Sequence, residues 1–384
     1  MPQLTLPPLS LYIHIPWCVR KCPYCDFNSH KAGESLPEKD YVAALLDDLD
    51  RDLHWVQGRS IHSIFFGGGT PSLLSVEAYE ALFAGLKQRL TFDHDIEITL
   101  EANPGTFEAE KFKGYRQLGI NRLSIGIQSF RDDQLKALGR IHSADEAIRA
   151  VEMARNAGFD NFNLDLMHGL PDQTLDMALA DIQQALDLNP THLSWYQLTI
   201  EPNTEYFKYP PKLPEDETLW AIQEAGQKLL AENGFAQYEI SAYSQAGTQA
   251  GTQAKHNLNY WQFGDYLGIG AGAHGKVTLP AQNQILRTAK TRLPKDYLNL
   301  AKPFLVSADN IESEDRPLEF MMNALRLYQG TDKQLFSART GLDFSALSPQ
   351  YEAAIQEGFL ETGPEIKTTA KGQLFLNALL ERFL

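Results

Sequence analysis

Cys18-Val19-Arg20-Lys21-Cys22-Pro23-Tyr24-Cys25-Asp26-Phe27 holds all three cysteines of a 384-residue chain. The spacing is C-x3-C-x2-C. The stretch follows an apolar run, Leu9 to Ile15, that reads as a short buried strand. Three thiolates offered by one loop suit a soft metal centre. A [4Fe–4S] cluster normally takes four protein ligands, so three leave one iron open to a small molecule. Open coordination marks a reactive site rather than a structural one, as it does for zinc. Two other readings stand beside this one. A Cys3His zinc site could use His14 or His30, or the thiols could be three unrelated small core residues. The setting favours the cluster: Tyr24 precedes the third cysteine, the loop follows the first strand, and a glycine-rich turn follows the second.

With 43% hydrophobic residues the chain can bury a large core in one or two domains. A net charge of −15 disfavours a phosphate backbone or an anionic membrane surface as partner. Three cysteines in so long a chain argue against a disulfide framework and for a reducing compartment. Met1 to Ser10 lacks the basic and apolar regions of a signal peptide, and no apolar run reaches the length of a membrane span. A cytoplasmic protein is expected.

Strands and helices alternate. Strands are predicted over Leu9–Ile15, Ile61–Phe66, Ile96–Glu101, Arg122–Ile127, Asn161–Met167 and Leu193–Ile200. Helices are predicted over Pro37–Trp55, Ser75–Leu90, Glu108–Leu118, Asp145–Ala157, Leu175–Leu188 and Asp216–Asn233. Six such alternations imply an α/β fold of parallel βαβ units, open or closed. In either form the working site lies at the carboxyl ends of the strands. A tandem Gln-Ala-Gly-Thr repeat, Ser244 to Ala254, reads as a flexible loop. The organisation expected is a core over 1–240, a connecting segment over 241–315 and a C-terminal domain over 316–384. That last part reads as three short helices, a two-stranded wing and a closing helix over Ala370–Leu384, a winged-helix-like pattern. Its seven Lys/Arg against eight Asp/Glu give no basic reading face, so no nucleic acid is expected.

Several strand ends carry chemistry. Gly67-Gly68-Gly69-Thr70-Pro71 lets a ligand approach the main chain and lacks the Gly-Lys-Ser/Thr ending of a phosphate loop. Glu101 can accept from a ribose hydroxyl or pair with an ammonium. Gln128, Arg140 and Asp165 suit a polar or carboxylate-bearing ligand at the same mouth. Each also has a plainer reading, as turn, solvated acid or surface ion pair. His14, between apolar neighbours, reads as a core histidine. His256 follows the repeat and heads a segment with Tyr260 and Trp261. Imidazole is a common haem ligand, and flat aromatics pack on a porphyrin; a helix with one polar end is the alternative.

Cys18-x3-Cys22-x2-Cys25 with Tyr24 resembles the signature of the radical S-adenosylmethionine (SAM) superfamily. Tyr12-Ile13-His14-Ile15-Pro16-Trp17 and Phe27 place it in the group around the oxygen-independent coproporphyrinogen III oxidases. His256-Asn257-x-x-Tyr260-Trp261 matches the motif of that group's haem-chaperone branch. The resemblance implies an open six-unit (β/α) partial TIM barrel with a [4Fe–4S] cluster at its mouth. It implies SAM contacts at Tyr12, Gly68, Gly69, Thr70, Glu101, Gln128, Arg140 and Asp165, with Thr199 and His274 nearby. It further implies haem as cargo, acceptor haemoproteins such as respiratory cytochromes, and leaves a homodimer open.

The oxidases carry a fourth cysteine where this chain has Phe27, and a longer segment before the cysteine loop. Both differences point to the chaperone branch and to absent oxidase activity. The competing expectation is a radical SAM enzyme acting on a porphyrin, such as the oxidase itself, or a methyl transferase.

Overall fold

The computed structural model describes residues 2–106, 109–245 and 252–384. The repeat falls largely on 246–251, outside the described residues. Six strands follow the expected alternation: β1 (Leu9–Ile15), β2 (Ile61–Gly68), β3 (Phe92–Ala102), β4 (Arg122–Gln128), β5 (Phe162–His168) and β6 (His192–Gln197). Each pairs parallel with the next, in sequence order. The helices between them are α1 (Glu38–Asp52), α2 (Val76–Arg89), α3 (Ala109–Leu118), α4 (Ala144–Asn156) and α5 (Leu175–Asp187); α6 (Asp216–Glu232) follows β6. Local chemistry sets their starts. Ser75 Oγ accepts from the amide of Ala78 at 3.1 Å, and Ser143 with Glu146 forms a capping box on α4.

Side-chain alternation divides the sheet. Leu9, Leu11, Ile13, Ile64, Phe66, Leu100, Leu123, Ile125, Leu164, Leu193 and Trp195 enter one apolar core with Tyr41, Leu45, Tyr79, Phe83, Phe112, Val151 and Ile182 of the helices. Burying each of the larger side chains contributes about 1.5–3 kcal/mol. The opposite face is polar and pairs with itself: Ser10 with Ser63, Ser124 with Asp165, and Asn163 with His192. A parallel sheet covered on both faces usually reads as continuous apolar runs. The alternation here marks an inner face that lines a cavity.

The sheet extends at both ends. β7 (Phe235–Glu239) and β8 (Ala242–Gln245) form a hairpin, with β8 antiparallel to β6. β9 (Asp265–Ile269) lies parallel to β1, and β10 (His274–Leu279), β11 (Gln284–Lys290) and β12 (Leu305–Asn310) continue antiparallel. The order is β12-β11-β10-β9-β1-β2-β3-β4-β5-β6-β8-β7. Among the described residues the two edges are not joined, so the barrel is open. Between β8 and β9, helix α7 (Lys255–Trp261) crosses the inner face. Its Asn259 Nδ2 donates to Ser10 Oγ and to the Asp265 carbonyl, both at 2.9 Å.

The C-terminal part has its own apolar cluster of Phe320, Phe336, Leu347, Tyr351, Leu360, Ile366 and Leu379, joined by Leu4, Phe263 and Ile285. Thr331–Asp332 pairs with Glu365–Ile366, and Leu360 bridges Thr368, which is the wing. The closing segment departs from the single predicted helix. It breaks at Phe375, whose backbone (φ −111°, ψ 40°) leaves the helical region, into Ala370–Leu374 and Leu376–Leu380. Among the described residues no helix is long and apolar enough to cross a membrane.

Candidate functional site

The cysteine loop leaves the end of β1 and is closed at its neck. Trp17–Cys18 pairs parallel with His30–Lys31, and the Cys25 amide bonds back to the Cys22 carbonyl at 3.1 Å. Asn28 Nδ2 donates to the carbonyls of Ala271 and Arg292, both at 2.9 Å. All three thiols face one cavity of about 150 Å³. Cys25 Sγ lies 3.7 Å from Ser29 Oγ, and Arg140 Nη1 donates to Cys22 Sγ at 3.7 Å. Burial pushes Cys18 and Cys25 up from the ordinary thiol value, and the hydrogen bond from Ser29 pulls them back. A cationic metal centre would reverse that and favour the thiolates.

Among the described residues no three His, Cys, Asp or Glu side chains converge tightly enough for a single ion. His14 is also engaged on both ring nitrogens, by Tyr12 Oη and by the Asn28 carbonyl, each at 2.9 Å. That disfavours Cys3His zinc through His14. A [4Fe–4S] cluster would take each thiolate on a different iron atom, so its ligands need a shared space rather than a common point.

The same cavity collects the ends of β2 to β6. Gly68, Gly69, Thr70, Glu101, Gln128, Arg140 and Asp165 all line it. The glycine turn is stitched to the strand that feeds the cysteines: the Gly69 amide donates to Ile15 O at 2.8 Å and Thr70 to Trp17 O at 2.7 Å. Gly68 has φ +117°, and a Cβ there would stand 2.6 Å from the His14 ring, so no other residue fits without movement. Its amide donates to Glu101 Oε2 at 3.1 Å. Burial, with the Asp165 charge beside it, raises Glu101 to about 8. Burial also raises Asp165, opposed by hydrogen bonds from Asn163 and Ser124. Arg140 Nη2 reaches Asn103 Oδ1 at 2.5 Å and Gly126 O at 2.8 Å. Gln128 Oε1 and Arg140 Nε are buried without a protein partner, which leaves polar capacity at the cavity wall.

A second cavity of about 630 Å³ shares Phe27, Gly68 and Glu101 with the first. Tyr12, His14, His256, Tyr260, Tyr266, His274 and Arg292 line it. Tyr12 thus faces this cavity rather than the thiols. His256 sits on α7 with Nδ1 3.1 Å from Ser63 Oγ and its ring centroid 5.2 Å from that of Phe65. Burial lowers it to about 3, so the imidazole is neutral.

Some expectations from the motif are redistributed. Tyr260 lines the second cavity, but Trp261 turns away under Arg326, whose guanidinium carbon lies 4.2 Å above the indole. Thr199 is exposed and lines neither cavity. Asn103, Ser124 and Tyr196 line the first cavity without having been singled out. Their signal was strand parity: Ser124 shares its face with Gln128, and Tyr196 stands two residues beyond Ser194, which bonds Asn163. The short helix Asp132–Ala137, also unpredicted, is what carries the chain round to Arg140.

Comparison with known proteins agrees with this geometry. The family model described as "Radical SAM superfamily" matches residues 12–185, and "HemN C-terminal domain" matches 311–375. The chain is 55% identical to a protein of Haemophilus influenzae named "Heme chaperone HemW", covering 100% of this chain and 99% of that one. It is 54% identical to the Escherichia coli protein of the same name, covering 100% of both. In structure it is similar to the coproporphyrinogen III oxidase (HemN) of Escherichia coli, with TM-score 0.82, 22% identity, and coverage of 98% and 90%. At that identity the likeness speaks to the fold alone. By full-length similarity the chain belongs to the heme chaperone HemW family, within the radical SAM superfamily.

Proposed function

We propose that this chain is a cytoplasmic haem chaperone that binds haem in the second cavity and passes it to acceptor haemoproteins such as respiratory cytochromes. A [4Fe–4S] cluster and SAM would occupy the first cavity. The observation that carries the reading is the shared wall of the two cavities, with Cys18, Cys22 and Cys25 on one side and neutral His256 on the other.

Cys18, Cys22 and Cys25 would hold the cluster, and Glu101, Gln128, Arg140 and Asp165 would engage SAM. When bound, such a cluster supplies one-electron chemistry and an open iron position. The chain's own residues do the rest. Arg140 donates to Cys22 Sγ and holds positive charge at the thiol loop. Asp165 and Glu101 offer carboxylate oxygens to hydroxyl or ammonium groups. Ser63 engages Nδ1 of His256, which would leave Nε2 as the nitrogen available to iron in the cavity that His256 lines. Tyr260 and Tyr266 offer flat apolar faces, and Arg292 at the rim suits a propionate.

The test is haem transfer. Haem-loaded, anaerobically reconstituted protein is mixed with an apo-cytochrome, and the acceptor's spectrum is followed. Transfer is expected, with no porphyrin turnover. Protoporphyrinogen formed from coproporphyrinogen III in the presence of reductant and SAM would overturn the reading in favour of an oxidase.

A further inference from the structure

A chain of buried hydrogen bonds runs from the first cavity to the helix that carries His256. Asp165 Oδ1 accepts from Asn163 Nδ2 at 2.6 Å. The same amide donates to Ser124 Oγ at 2.9 Å, and that hydroxyl donates to Asp165 Oδ2 at 3.1 Å. Asn163 Oδ1 lies 2.6 Å from His192 Nδ1, and His192 Nε2 lies 2.8 Å from the Tyr238 hydroxyl. The Tyr238 oxygen accepts from the amide of Ala254 at 3.2 Å. Ala254 is the N-cap residue of α7, and the next two amides donate to the Glu97 carboxylate at 3.1 and 3.2 Å.

The proton positions are dictated. An amide oxygen only accepts, so His192 Nδ1 carries the hydrogen, Nε2 accepts, and Tyr238 donates. Tyr238, His192 and Asn163 therefore all donate toward Asp165, which with Ser124 lines the first cavity. Asn163, His192 and Tyr238 are 4%, 2% and 2% exposed. Buried polar groups of this kind are costly unless all are satisfied together, and an apolar set would pack there at lower cost. Such a chain stiffens when its acceptor end holds full charge, because charge-assisted bonds are stronger and polarise their neighbours.

We propose that Asn163, His192 and Tyr238 are positioning residues that couple the two cavities. A ligand that engages Asp165 fixes the start of α7 and thereby raises the affinity of the second cavity for an iron porphyrin, and by reciprocity the porphyrin raises affinity in the first. The porphyrin half rests on the haem-binding reading; the effect on α7 does not.

The experiment uses the full chain with its cluster reconstituted anaerobically. Hydrogen exchange over 252–263 is measured with and without SAM, and haem is titrated under the same two conditions. In the wild type SAM is expected to slow exchange at the start of α7 and to tighten haem binding, each by roughly five-fold or more. Tyr238→Phe, which touches neither cavity, and His192→Phe abolish both effects. His192→Gln, whose amide can donate to Asn163 and accept from Tyr238, restores them. An absent SAM effect in the wild type, or an equal one in Tyr238→Phe, overturns the coupling. If haem fails to bind at all, the chaperone reading falls and the exchange data still decide the coupling.

Discussion

Tyr12 and His256, separated by most of the core in sequence, both line the larger of the two cavities, with ring centroids 6.5 Å apart at 42°. One belongs to the strand that feeds the cysteines, the other to a helix laid across the inner face. Their proximity joins the thiol loop and the His-Asn-x-x-Tyr-Trp segment into one working region.

Arg140 is the first point of test. It is bonded to Cys22 Sγ, Asn103 Oδ1 and Gly126 O. Arg140→Ala leaves buried acceptors unpaired, at a cost of about 1–3 kcal/mol. A lower melting temperature and faster loss of iron on exposure to air are expected. An unchanged rate of iron loss would mean that the guanidinium does not support the thiol loop.

Glu101 gives a pH signature in the ligand-free protein. Its ordinary value of 4.5 is raised to about 8, by burial first and by Asp165 second. The folded chain therefore holds a proton that the unfolded chain releases between those values. The stabilisation is complete below 4.5 and is lost as pH rises through about 8. Glu101→Gln should flatten the fall of melting temperature over that window. An identical slope in wild type and variant would contradict the raised value.

Buried histidines act in the opposite direction. His14, His142 and His168 are lowered to about 4, and His256 to about 3, in each case by burial first. The stability they contribute is present above the ordinary value of 6.5 and is lost as pH falls toward 4 and 3. His168 offers a clean probe, since its Nδ1 is buried without a partner and its ring lies 4.3 Å from that of Trp195. His168→Phe is expected to stabilise the chain by about 1–3 kcal/mol at acid pH. Acid denaturation followed by circular dichroism checks it, and an unshifted midpoint would count against it.

The two aromatics of the motif should separate. Tyr260 lines the cavity, whereas Trp261 stacks under Arg326 toward the C-terminal part. Tyr260→Ala is expected to weaken haem binding by about ten-fold, the loss of about 1.4 kcal/mol. Trp261→Phe should leave haem binding within about two-fold, well under that loss. The reverse ranking in a titration would place the haem elsewhere.

Much of this was legible in residues. The six parallel strands show because a period of two survives in them: Ser10, Tyr12 and His14 alternate with Leu9, Leu11 and Ile13, and the Glu97–Glu101 stretch repeats the pattern. The cavity-lining strand ends followed from where glycine, carboxylate and amide residues interrupt those runs. Strands β9 to β12 were not legible in the sequence, because each is fixed by its neighbour: β9 by its parallel pairing with β1, and β10 to β12 by successive antiparallel pairings. The outward turn of Trp261 was not legible either. It depends on where α7 is anchored, by Glu97 and Ser10, and on Arg326 from a distant helix end.

The account stands most directly on a haem titration of the anaerobically reconstituted protein, followed in the Soret region for wild type and His256→Ala. The wild type should bind about one haem per chain, and the variant should bind at least roughly ten-fold more weakly with a shifted Soret maximum, as expected for loss of an axial imidazole. No Soret band in the wild type, or the same affinity and spectrum in the variant, would contradict it.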